Sequence, residues 1–267
     1  MTNELPMKPV TGKPVTNWQE RADVYNRLDW VRDEKFMDTL IRIGDFRETD
    51  KVLDVGTGTG LVAKAISPFV DDIIALDKST RMLDLAVDGH QNIDYVSGDV
   101  RDMIFVSNVF DKVIARHIFH HVITGTKRAM DECYRVLKPG GTMIFNEGTP
   151  PSARTRQDYI DIFKLKEDRI VFMPDDMIQL MKGSGFEIAE VRVVNLEHMS
   201  IRNWLENSKL PKETQDIIYG MHITAQPYFW EDYCMTEEIT EKGSDCFITM
   251  KMVILVGRKP LEVKHNG

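Results

Sequence analysis

Between Trp18 and Ile43 the apolar residues Val24, Leu28, Trp30, Val31, Phe36, Leu40 and Ile41 recur at mostly helical spacing, with Asp and Arg between them. That pattern predicts one or two helices. At Lys51 the period changes. Lys51–Val55 is a short apolar run leading into a glycine cluster, and residues 73–76, 93–96, 110–115 and 142–146 repeat the strand-like pattern, with helical stretches such as 61–67 between most of them. Parallel strands need crossovers of this length, so the alternation predicts an α/β unit with a mostly parallel sheet.

Past Gly148 the rhythm loosens. Residues 149–155 read as a loop, helical pieces follow to Lys166, and a helix over 175–182 stops at Gly183 and Gly185, as helix C-termini often do. Two β-rich runs, 186–196 and 246–256, bracket an aromatic-rich stretch over 197–245 holding Trp204, Tyr219, Tyr228, Phe229, Trp230 and Tyr233 at helical spacing. It is expected to form a lid-like insertion, and residues 18–46 a second, N-terminal part of the cap. Residues 1–17, polar with three prolines, and the tail 261–267 are expected to be disordered.

Composition narrows the function. A chain of 267 residues can bury a substantial core as one large domain, and its formal net charge of -8 argues against a surface built to collect polyanions. Nucleic acid is therefore disfavoured as a partner. Cys133, Cys234 and Cys246 lie far apart with no CxxC pair, which suggests neither a disulfide framework nor a zinc site. No apolar run approaches the roughly 18 residues of a membrane span, and no signal peptide is visible, so the expected location is cytoplasmic.

The chemistry concentrates at strand ends. In Asp54-Val55-Gly56-Thr57-Gly58-Thr59-Gly60 the glycines stand where a strand turns into a helix, letting a ligand approach bare backbone. A dinucleotide loop, G-x-G-x-x-G, would need glycine where Leu61 stands. Asp54 also suits a cationic ligand better than a pyrophosphate. Asp77 closes the second strand, where nucleotide-binding folds grip ribose hydroxyls, and Asp99 follows the third.

In these residues the chain resembles the class I S-adenosylmethionine-dependent methyltransferases. The matching stretches are residues 52–60, 77–83, 98–100, 116–122 and 135–141, in family order, nearest to the small-molecule enzymes related to ubiquinone and menaquinone biosynthesis methyltransferases. The resemblance implies a Rossmann-like α/β fold: a mostly parallel seven-stranded sheet with flanking helices, the last strand antiparallel near 247–256, and a helical cap within one domain over 18–260. It also implies S-adenosylmethionine as cofactor, with S-adenosylhomocysteine as product. Carried over by position, Gly56, Gly58 and Gly60 lie beneath the methionine moiety and Asp77 binds the ribose, with Asp54 and Thr57 also expected at the cofactor. Asp99 and Val100 frame the adenine, with Lys78 and Met82 beside it, and Arg116 presents backbone to the methionine end.

The sulfonium is already an activated electrophile, so the protein has mainly to align an acceptor and exclude water, and no Ser-His-Asp or Cys-His set is needed. An oxygen or carbon acceptor usually wants a base; an amine needs only to arrive neutral. Within Arg116-His117-Ile118-Phe119-His120-His121-Val122, His120 and His121 are the base candidates. Tyr25, Glu147, His198, Arg202, His222 and Tyr228 are candidates for contact with a small-molecule acceptor. No metal site is expected, since adjacent His120 and His121 would point apart on a strand. The competing readings are methylation of RNA or protein, an NAD-dependent oxidoreductase, and a non-catalytic nucleotide-binding protein. Leu61 and Asp54 speak against the oxidoreductase, and the intact glycine loop against lost binding.

Overall fold

The computed structural model describes residues 8–10 and 17–261. The elements run β1 (Lys8–Val10), α1 (Trp18–Tyr25), α2 (Glu34–Gly44), β2 (Lys51–Val55), α3 (Leu61–Ile66), β3 (Asp72–Asp77), α4 (Thr80–Ala86), β4 (Ile93–Ser97), β5 (Phe110–Arg116), α5 (Thr126–Val136) and β6 (Leu137–Thr149). The later part adds α6 (Arg156–Lys166), β7 (Arg169–Val171), α7 (Pro174–Gly183), β8 (Glu187–Ser200), α8 (Ile201–Glu206), α9 (Lys212–Ile223), α10 (Pro227–Asp232), β9 (Thr236–Thr240) and β10 (Gly243–Arg258).

The main sheet has the order β4-β3-β2-β5-β6-β10-β8, with β9 added to the free length of β10. Strands β2 to β6 pair in parallel, and β10 runs antiparallel to both β6 and β8. This is the Rossmann-like arrangement implied by the sequence, with one short strand, β9, beyond the seven expected.

Alternation along the central strands sorts their side chains into two layers. Leu53, Val113, Met143 and Val253 pack on one face with Met130, Cys133 and Val136 of α5 and Leu180 and Met181 of α7. Their neighbours Val52, Ile114, Ile144 and Ile254 pack on the other face with Phe36 and Leu40 of α2 and Val62 and Ile66 of α3. Helix starts are capped locally: Asp33 accepts from the Phe36 N–H at 2.7 Å and Ser79 from the Met82 N–H at 3.3 Å.

The cap differs from expectation in three respects. Strand β8 continues to Ser200 and β10 begins at Gly243, so the insertion is shorter than 197–245 at both ends. Helix α6 and β7 join the cap, which has its own core of Ile160, Phe163, Ile201, Leu205, Ile218 and Phe229. Lys8–Val10, inside a stretch expected to be disordered, forms a strand paired with β7. The remaining residues of that stretch, 1–7 and 11–16, and the tail beyond Leu261 lie outside the described residues, whereas Asn17 caps α1. Among the described residues, no helix is long and apolar enough to cross a membrane.

Candidate active site

The parallel strands deliver their C-terminal ends to one edge, where an open α/β sheet binds ligands. Gly56, Gly58 and Gly60 adopt φ of +67°, +57° and +77°, a region in which L side chains are strained. A methyl group on Gly56 would meet Ile118 Cδ1 at 2.4 Å, whereas one on Gly58 would face open space as far as Tyr25 Cε1, 4.0 Å away. Asp77 holds the turn. Its carboxylate accepts from the Gly58 N–H and the Ser79 N–H, both at 2.8 Å.

Around this turn lies a cleft of about 500 Å³ lined by Gly56, Gly58, Asp77, Met82, Asp99 and Arg116, with Lys78 and Val100 also at its wall. Arg101 holds Asp99 through Nε at 2.9 Å and Nη2 at 2.6 Å, and Lys78 approaches at 3.2 Å. These hydrogen bonds keep the Asp99 carboxyl well below the usual carboxylate range. Helix α1 is latched across the cleft by Gln19 to Thr80 and Arg81 to Asp23.

Of the five motif residues expected at the cofactor, Asp54, Thr57 and Gly60 do not line the cleft. Gly60 starts α3, and Thr57 donates its hydroxyl to Asp54 at 2.6 Å inside the core. Asp54 is buried, and burial pushes its carboxyl up to about 7. The folded chain therefore keeps a proton that the unfolded chain releases near pH 4, and stability falls as pH rises toward 7. Asp54→Asn keeps an oxygen for the Thr57 hydroxyl. Its stability advantage over the wild type is expected to grow by roughly 2 kcal/mol between pH 5 and pH 8. Calorimetric melting at the two pH values checks this; a difference that does not change with pH would clear Asp54 as the cause.

Arg116 anchors rather than reaches. Its buried guanidinium donates Nη2 to the carbonyls of Trp30 and Val31 and stacks over Phe36, joining the end of β5 to the N-terminal segment. The next residues form a tight helical turn, Phe119–His121, not an extension of the strand, so His120 and His121 do not point apart; their ring centroids lie 3.9 Å from each other. His120 Nδ1 sits 2.5 Å from Glu147 Oε2, and its backbone N–H donates to Oε1 at 3.1 Å. Glu147 is therefore neither solvated nor at the cavity wall but buried behind His120, and burial raises its carboxyl to about 7. Burial also holds His117, His120 and His121 well below their ordinary value, leaving the imidazoles neutral.

A second cavity lies under the cap. Trp18, Tyr25, His117 and His121 line both spaces, so the two meet at these four side chains. Of the residues expected to touch an acceptor, Tyr25 and His222 line the cap cavity. His198, Arg202 and Tyr228 do not, because each is engaged elsewhere: His198 stacks on Phe247, Arg202 donates Nε to the Ser244 carbonyl, and Tyr228 donates its hydroxyl to Asp158.

The sequence reading missed a charged cluster in this cavity. Arg21, Lys166 and Arg169 surround Glu167 at 3.2, 2.7 and 3.5 Å, with all four side chains at most 10% exposed. Burial lowers Lys166 to about 7, while the cations around Glu167 keep that carboxyl well below its usual range despite burial. Donor atoms of His117, His120 and Glu147, and of His120, His121 and Glu167, fall within 4.8 Å of one another in each group, a proximity hidden in the sequence. The buried cations around Glu167 oppose a divalent ion there.

Comparison with known proteins agrees with this architecture. A family model described as a methyltransferase domain matches residues 53–145. The uncharacterized methyltransferase YcgJ of Bacillus subtilis is 21% identical, over 97% of this chain and all of its own length. Its crystal structure superposes with a TM-score of 0.75 at 20% identity, covering 84% of this chain and 97% of that one. The demethylmenaquinone methyltransferase of Thermotoga maritima is 28% identical over 64% of this chain and 85% of its own length. A phosphoethanolamine N-methyltransferase of Haemonchus contortus, solved with S-adenosyl-L-methionine, shares the fold at a TM-score of 0.58 and 19% identity, covering 90% of this chain and 57% of that one. The methyltransferase-domain match and these methyltransferase relatives support a class I S-adenosylmethionine-dependent methyltransferase.

Proposed function

We propose that the glycine-loop cleft binds S-adenosylmethionine and that the cap cavity holds a small-molecule acceptor, methylated on oxygen or carbon in preference to nitrogen. The observation that carries this reading is the junction of the two spaces at Trp18, Tyr25, His117 and His121. A cofactor bound along the cleft would present its methyl group at that junction, where an acceptor under the cap meets it.

The residues fit such a cofactor. Gly58 offers bare backbone with open space before it, Asp77 has lone pairs left for ribose hydroxyls, and Met82 and Val100 give apolar walls for a base. Asp54, Thr57 and Gly60 serve from behind by setting the turn. The sulfonium supplies the electrophilic methyl group. Alignment and exclusion of water fall to the protein: α1 closes one side, and the cap elements α6, β7 and α8 to α10 close the other. His121, neutral and with no hydrogen-bond partner at Nδ1, is placed to take a proton from an oxygen or carbon acceptor. His120 is held by Glu147 and positions His121 by ring contact. A covered cavity supports a small molecule over RNA or protein.

Titration calorimetry with S-adenosylmethionine and S-adenosylhomocysteine tests the donor half. Micromolar binding of both is expected; no binding by either would end this assignment. The loaded enzyme, incubated with a metabolite extract, should then produce a species heavier by one methylene.

A further inference from the structure

The cap cavity carries more positive charge than an apolar acceptor would need. Arg21 from α1, Lys166 from the end of α6 and Arg169 from the start of β7 converge on one carboxylate, Glu167, and all four line the cavity. Asp29, the other acid of the lining, is exposed, and Lys251 adds a further cation whose ammonium donates to the Pro151 carbonyl. Burying cations in excess of anions is costly unless a partner arrives.

The hydrogen bonding shows the same shortfall. Arg21 and Arg169 each direct one Nη to Glu167, yet the Nε of both is buried without a hydrogen-bond partner, as is the Thr149 hydroxyl on the same cavity wall. Guanidinium groups pair readily with planar or tetrahedral oxyanions through two donors. The rest of the wall is largely apolar, and Trp18, Tyr159, Phe163, Trp204 and Phe229 give it aromatic faces beside aliphatic residues such as Leu28, Ile162 and Met250. The space is about 120 Å³, of the order of the ~150 Å³ cavity that takes up one benzene ring.

We infer that the acceptor is a small, ring-sized molecule carrying an oxyanion, a carboxylate or a phosphate, which Arg21, Lys166 and Arg169 bind beside the methyl-transfer junction. This rests on the reading of the cap cavity as the acceptor site. The cluster stands close to that junction, because donor atoms of His121 and Glu167 lie within 4.8 Å of each other. The cations thus fix which end of the acceptor faces His121.

Calorimetry with benzoate, phenyl phosphate and neutral benzamide, on the full chain with and without saturating S-adenosylhomocysteine, tests the inference. Benzoate or phenyl phosphate is expected to bind at least about tenfold more tightly than benzamide, and the tighter of the two identifies the head group. Lys166→Met and Arg169→Met, which keep the aliphatic packing, should each shrink that preference several-fold while leaving S-adenosylhomocysteine affinity unchanged. Equal binding of anion and amide by the wild type, no anion binding at millimolar concentration, or a preference intact in both variants would overturn it. Failure of S-adenosylhomocysteine to bind would instead sink the donor assignment, and the anion preference would still be read on the unloaded protein.

Discussion

Asp77→Ala is expected to weaken S-adenosylmethionine and S-adenosylhomocysteine binding by about 100-fold or more, because a hydrogen bond to a charged group contributes roughly 1.5–3 kcal/mol and two ribose hydroxyls would be lost together. The carboxylate also accepts from Gly58 and Ser79, so its removal loosens the glycine turn and the start of α4. Unfolding is not the expected outcome: Asp77 lies at a strand end, only partly buried, and water can reach the freed N–H groups. Asp77→Asn, which retains one oxygen acceptor, should fall between the wild type and alanine. Calorimetry gives the affinities and a melting curve verifies the fold. Unchanged affinity in the alanine variant would remove Asp77 from the cofactor site.

His121→Ala is expected to lower kcat by about 100-fold or more with an oxygen or carbon acceptor, in line with the range for a lost general base, and to leave S-adenosylhomocysteine affinity unaltered. The imidazole lines both cavities, burial holds it neutral near pH 7, and its Nδ1 has no partner. The wild-type rate should therefore hold constant as pH drops from 8 to 7 and decline only at pH well below 6.5, when the imidazole takes a proton before the acceptor can give one up. His120→Ala should act more weakly and through orientation, raising KM along with lowering kcat, since it removes the ring tilted against His121 and leaves Glu147 buried without its imidazole. Full turnover in His121→Ala would reduce that residue to a wall of the junction.

The central sheet was legible because its signals are local. A strand covered on both faces must be apolar in consecutive positions, so Lys51–Val55 and the run ending at Ala115 announced themselves, and the structure adds only an end residue or two. The turn glycines and the strand-end acids were readable for a related reason: a positive φ calls for glycine, and a carboxylate at a strand end has a single edge on which to act. Strand β8 was read too short, as its outer half alternates exposed residues with buried Val194 and Leu196 and then runs on at the sheet edge toward Ser200. His198, Arg202 and Tyr228 were plausible by residue type alone, and type does not say which neighbour will take the polar atom.

By itself, then, the sequence determined the class of fold, the resemblance to the class I methyltransferases and the residues of the glycine turn, all of which depend on short spacings within strand–turn–helix units. The tertiary structure alone decided the make-up of the cap cavity. Nothing in the sequence around Lys166, Glu167 and Arg169 signals their partner, and only the packing of α6, β7 and α1 around a separate cap core encloses them with Arg21, distant by 146 residues from Glu167. The histidine turn is of the same kind, its geometry set by Glu147 from β6. Contacts between residues so far apart in the chain leave no periodicity to read, because they arise from how finished elements pack and not from the local preferences that build each one.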